Sequence, residues 1–297
     1  AMQEVANKFE LPKELLQPSY FRAIKAVGLV VCALTGGYVG LALAPWYLLP
    51  LCWFVVGTAI TGLVSVASDC ERQSFVKSKL LNDIVGTICL VPLWMPYKTL
   101  AESSRSGAWL NWGPLWTLAS LWQWVKANFA LPLTILLGGS QLSHSRKGLI
   151  VNLICIYSFC CIFFPLMTMT LGVWGLFKFY VIPMLIYHFW MSTCLKLKNQ
   201  VELDGTTIVL CSYPRFVEIL GNNFNQIVNN FQDIKNSDLK ANLPSYNINA
   251  ARKALKRGAK DAYKEVTLSW SSLFSTYCPQ RDALIMRIHG VSYDVTK

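Results

Sequence analysis

Four runs, residues 26–44, 47–67, 149–171 and 176–194, are each apolar over about the 20 residues that a helix needs to cross roughly 30 Å of hydrocarbon. A bilayer offers no water to backbone amides, so runs of this kind are expected to be helical. They pair through turns too short to hold a domain, the first through Pro45 and Trp46. The reading is an all-α membrane protein with four transmembrane helices in two hairpins. Hydrophobic residues make up 54% of the 297, which excludes an ordinary soluble domain.

The connecting segments divide the chain further. Residues 1–25 form an N-terminal extramembrane segment, 26–67 the first hairpin, 68–147 an interfacial or re-entrant segment, 148–195 the second hairpin, and 196–297 a basic cap. Residues 80–97 are apolar but interrupted by Asn82, Asp83 and two prolines, which suits an interfacial element better than a span. Trp112, Trp116, Trp122 and Trp124 follow, and they are expected in the head-group layer, where indole buries its ring and keeps its N–H wet. Near the C-terminus the turn PSYN precedes a basic helix candidate, AARKALKRGAKDAYKEV.

The formal charge of +11 points to anionic lipid or a large partner complex as counter-charge, and not to nucleic acid, because the basic residues flank apolar runs. The two short turns carry essentially only Lys178, so both termini and the cap are assigned to the positive side of the membrane. Cys32, Cys52, Cys155, Cys160 and Cys161 sit in apolar runs without a C-x-x-C pair, and read as small buried hydrophobes. The first residues lack an apolar signal core, so a mature or trimmed chain is expected. Gly36 and Gly40 form a G-x-x-x-G inside an apolar run, a helix-packing signal and not a nucleotide loop.

Several blocks carry a resemblance: APWYLLPLCWFVVGTAITG, SDCERQSFVKSKLLNDIVGTICLVPLWMPY, YHFWMST, CSYPRFVEIL and PSYN, in this order along most of the chain. Together they resemble the plastid omega-6 acyl-lipid desaturases. The resemblance implies four membrane helices under a stromal or cytosolic cap. It also implies an ancestor that inserted a double bond into a lipid-bound acyl chain with two iron ions and O2.

In that family three histidine boxes hold the iron. At the first, H-D-C-x-H, this chain has Ser68, Asp69, Cys70, Glu71 and Arg72, so Ser68 and Arg72 stand in the ligand places. The second falls on Ser104, Arg105, Ser106, Gly107 and Ala108; the third gives Asn222, Ile227, Asn230 and Phe231; an additional pair becomes Lys198 and Asn199. The whole chain has three histidines, His144, His188 and His289, too few for an imidazole diiron cage. No Glu-x-x-His pair offers a carboxylate alternative.

The expectation is therefore a degenerate family member: no catalytic residues, no diiron centre, and ion pairs of Arg72 and Arg105 with nearby carboxylates filling the emptied space. The function expected is that of a structural subunit of a plastid membrane complex, a thylakoid photosystem being the natural host. Lipid, chlorophyll and carotenoid are the expected bound molecules, and His144 and His188 the candidate axial ligands for chlorophyll magnesium. The alternative is a lipid-binding or lipid-sensing pseudoenzyme, and a third reading is an active desaturase.

Overall fold

The computed structural model of the chain describes residues 12–95, 97, 117–130, 146–200, 208–212, 233–234, 243–258, 263–267, 287–288 and 291–292. After a short turn, α1 (Lys13–Leu16), the first apolar run forms α2 (Tyr20–Leu43). Ala44 is extended and Pro45 cannot continue a helix, so the chain turns through a 3-10 segment at Trp46–Leu48 and returns as α3 (Leu49–Glu71). Pro50 in the first turn of α3 costs nothing, since its missing N–H would have had no helical partner.

The core gathers on α3. Its line of small residues, Gly57, Thr58, Ala59, Thr61, Ser65 and Ala67, is buried, which lets neighbouring helices approach the backbone on several sides. Gly37 of α2 faces Val56, and Gly40 faces Cys52, an antiparallel crossing. Gly36 has no neighbour where a Cβ would stand, so of the expected glycine pair only Gly40 packs here, and its companion is Gly37. α4 (Lys79–Leu90) leans on α3 from the other side and ends in a 3-10 turn at Val91–Leu93.

α5 (Ala119–Val125) runs into a π-helical turn at Lys126–Ala130. The next helical stretch, α6 (Arg146–Leu176), a π-turn (Phe177–Val181) and α7 (Ile182–Gln200), is interrupted at Gly172, whose φ of 69° and ψ of 178° break the helix. Phe164 and Tyr180 lie 5.2 Å apart ring to ring. Sixteen residues of straight helix would separate them by about 24 Å, so the chain doubles back around that glycine. Trp53, near the start of α3, donates its indole N–H to the Lys178 carbonyl at 2.9 Å, which places this bend beside the Pro45 turn.

Among the described residues three stretches are long and apolar enough to cross a membrane: Tyr20–Leu43, Trp46–Glu71 and Ile150–Thr193. Residues 80–97 are not among them, in line with their polar interruptions. The membrane body is helical. Short strands occur towards the C-terminus, β1 (Ile208–Ser212), β2 (Asp233–Ile234), β3 (Tyr263–Thr267), β4 (Arg287–Ile288) and β5 (Val291–Ser292), in the order β2-β1-β3-β4-β5. β1 and β3 are parallel, with Leu210 opposite Glu265.

The basic helix, α8 (Ile248–Gly258), is shorter than its sequence suggested, because Gly258 ends it and the β-branched pair Val266 and Thr267 lies in β3. Two further expectations need correction. Cys32, Cys155 and Cys161 are exposed on helix faces and only Cys160 of the five is buried, since an apolar run does not say which face points inward. Trp124 is not a head-group anchor: its ring packs on Trp94 and His188, and its N–H is donated to the Leu93 carbonyl at 2.9 Å. Trp122 does face outward, under the ammonium of Lys126.

Candidate functional site at the ends of the membrane helices

The C-terminal end of α3 closes in a Schellman arrangement: Gln73 N–H reaches the Cys70 carbonyl at 3.0 Å and Ser74 N–H the Asp69 carbonyl at 3.0 Å. Gln73 takes the left-handed position, φ 58°, usually given to glycine, and its side-chain carbonyl accepts from Asn82 at 3.2 Å. Asn82, fully buried, bonds both the N–H and the carbonyl of Val76, at 3.0 and 2.8 Å. These contacts lock the loop between α3 and α4.

Asp69 lies just inside this turn and is completely buried. A buried carboxylate requires compensation. Its Oδ1 accepts from Arg72 Nη2 at 2.5 Å, and its Oδ2 accepts from Ser245 N–H at 2.7 Å and from the Ser245 hydroxyl. Ser245 opens the 3-10 turn Ser245–Asn247 that leads into α8. The next two side chains extend the attachment. Tyr246 Oη accepts from Ser19 N–H at 2.9 Å and donates to the Phe75 carbonyl at 3.1 Å; Asn247 accepts from Arg22 at 2.7 Å and donates to the Leu15 carbonyl at 2.7 Å.

Ile248, Ala251 and Leu255 of α8 pack with Leu243 on Leu15 and Leu16. Lys253, Lys256 and Arg257 face outward, at the end of the body opposite the Pro45 turn. Burial raises the Tyr246 phenol pKa above its usual value, opposed in part by the Ser19 amide.

A second constellation is aromatic. Trp94, in the left-handed region at φ 50°, caps α4 as Gln73 caps α3, with Met95 N–H reaching the Leu90 carbonyl at 3.3 Å. A bulky residue with positive φ is an outlier that its surroundings must hold in place. Trp124, Phe129, Tyr157 and Phe164 surround its indole at 5.1 to 6.4 Å. Nearby, His188 Nδ1 meets the Ser120 hydroxyl at 3.0 Å; Ser120 N–H donates to Ser192 Oγ at 2.9 Å, and Ser192 donates to the Thr117 carbonyl. His188 is thus a buried, hydrogen-bonded residue between α5 and α7.

Of the degenerate ligand positions and candidate pigment ligands read from sequence, Ser68, Arg72 and His188 have described side chains. Ser68 contributes its carbonyl to the Arg72 amide at 3.2 Å. Lys198 and Asn199 lie on the last turn of α7 with side chains outside the described set. His144, Ser104, Gly107, Ala108, Asn222, Ile227, Asn230 and Phe231 lie outside the described residues. Trp94 and Ser120 carried no sequence signal of their own, whereas Ser245, Tyr246 and Asn247 were visible only as a turn motif.

The resemblance implies a pair of iron ions. Arg72 brings a guanidinium with no lone pair to give, ion-paired to the carboxylate beside it. Among the described residues no three His, Cys, Asp or Glu side chains come together as a metal-ligand group. Among the described residues, the first-box positions Ser68 and Arg72 do not fit iron ligation; the other box positions lie outside the described side chains.

No family model matches the chain. Individual relatives do. The chain is 31% identical to the chloroplastic omega-6 fatty acid desaturase of Glycine max, over 91% of this chain and 70% of that protein. It is 29% identical to the sn-1 oleoyl-lipid 12-desaturase of Synechocystis sp., over 88% and 83%, and 30% identical to the chloroplastic omega-6 fatty acid desaturase of Arabidopsis thaliana, over 88% and 65%.

These relatives correct two expectations. The expected non-catalytic photosystem subunit, and its alternative, a lipid-binding or lipid-sensing pseudoenzyme, are both overturned: the relatives are named as desaturases, and no photosystem appears in their names. A count of imidazoles bears on one way of holding metal, not on what the rest of the chain is built to do. By relatedness along nearly its whole length, the chain belongs to the family of omega-6 fatty acid and oleoyl-lipid 12-desaturases.

Proposed function

We propose that the chain acts in acyl-lipid desaturation in a plastid membrane, on a lipid-linked fatty acyl chain of the oleoyl type. The observation that carries this reading is relatedness over 91% of the chain to a chloroplastic omega-6 desaturase. The membrane body supports it, because an acyl chain that never leaves the bilayer must be met by helices standing in the bilayer. The aromatic wall of Trp94, Trp124, Phe164 and Tyr180 supplies apolar surface of the kind such a chain packs against.

In this proposal the doubling back at Gly172 makes the third apolar stretch a hairpin, giving four spans in all. The basic face of α8 and the N-terminal segment then lie on the stromal side, by the excess of Lys and Arg at that end. The thylakoid is the proposed membrane.

The test is expression in a photosynthetic host whose own omega-6 acyl-lipid desaturase has been deleted, followed by mass spectrometry of membrane lipids. Doubly unsaturated acyl chains are expected to return. Lipids left unchanged there, and unchanged again when the gene is removed from its own plastid, would overturn the proposal.

A further inference from the structure

We infer that Asp69, Arg72 and Ser245 form a clasp that fastens residues 243–258 to the end of α3, and that this clasp takes the place of a metal ligand there. Both Asp69 oxygens are engaged, Oδ1 by Arg72 and Oδ2 twice by Ser245. A metal ion approaching this carboxylate would have to displace those donors and face a permanent positive charge. Ser68, on the same turn, brings a neutral hydroxyl and no imidazole.

The clasp joins residues 176 apart in sequence. It is also the only ion pair among the described residues. Around it, Ser65 reaches Ser245 Oγ at 3.4 Å, while Tyr246 and Asn247 tie the same turn to Ser19, Phe75, Leu15 and Arg22. Removing one charge leaves the other buried or half-buried without its partner, whereas removing both does not. The damage from the two single changes is therefore shared and not additive.

The test uses the full chain purified in lipid nanodiscs, with melting temperature and iron content after anaerobic incubation with Fe(II) as readouts. Arg72→Ala and Asp69→Asn are each expected to lower the melting temperature by about 5 °C or more, and the double variant by no more than the worse single. Arg72→Lys, which keeps the charge, is expected to recover most of the loss, and it serves as the deciding variant if Arg72→Ala does not fold. Iron bound by the wild type is expected to be unaffected by Asp69→Asn. Unchanged melting in both single variants, additive losses, Arg72→Lys as damaging as Arg72→Ala, or stoichiometric iron lost on Asp69→Asn would each overturn the inference. Melting and metal content are read without reference to lipid products, so this inference and the proposed activity fail separately.

Discussion

The ring of Tyr97 packs so closely on Gly86 that a methyl group on that glycine would overlap Tyr97 Cε2. Tyr97 is buried, and its hydroxyl reaches towards the Asn82 carbonyl at 3.5 Å. Gly86→Ala is expected to destabilise the protein by about 2–3 kcal/mol through overpacking. Pairing it with Tyr97→Ala should recover part of the loss, as measured by thermal unfolding in detergent.

Gly57 and Gly36 make a matched pair of tests. A Cβ on Gly57 would meet Ile186 at 2.6 Å and the Pro183 carbonyl oxygen at 2.8 Å, and a backbone oxygen cannot move aside cheaply. Gly57→Ala is expected to lower the melting temperature strongly by forcing α3 and α7 apart. Gly36→Ala meets nothing within 4 Å and is expected to be neutral or stabilising by up to about 1 kcal/mol.

Asn82 supplies both partners for the Val76 backbone. Asn82→Ala leaves that N–H and carbonyl unpaired in a buried loop, an expected loss of about 3 kcal/mol. Asn82→Asp keeps the acceptor but sets a second carboxylate oxygen against the Val76 carbonyl, so it should cost at least as much as Asn82→Ala. Chemical unfolding of the three proteins side by side checks the order.

Burial pushes the Cys89 thiol up from 9.0 to about 11. The folded state therefore holds its proton where the unfolded chain has already released it, and the stability this confers is complete below pH 9 and is lost as pH rises towards 11. The stability difference between wild type and Cys89→Ala, read from unfolding at each pH, is expected to narrow over that window by on the order of 2 kcal/mol. The Tyr97 phenol is raised by burial in the same direction, so both proteins continue to lose stability at still higher pH.

How much of this was legible in the residues varies from element to element. The first two apolar runs, and the turn between them at Pro45, were readable because length and hydropathy alone decide whether a helix can cross a bilayer. Family membership was readable from linear blocks such as SDCERQSF and YHFWMST. Arg72 was expected to pair with a nearby carboxylate, and it does pair with Asp69. The function drawn from the absent histidines was not sound, because losing one set of donors does not by itself name another task.

The amino-acid order alone thus determined that the chain enters a membrane, roughly where, and which enzymes it is related to, since these follow from local hydrophobicity and collinear identity. Only the tertiary structure decided that Ser245 completes the surroundings of Asp69, that Gly37 and not Gly36 meets α3, and that Trp124 turns inward to Trp94. Each of these depends on which face of a helix meets which neighbour across long sequence separations, and that choice is made by packing and by the requirement that buried polar groups find partners.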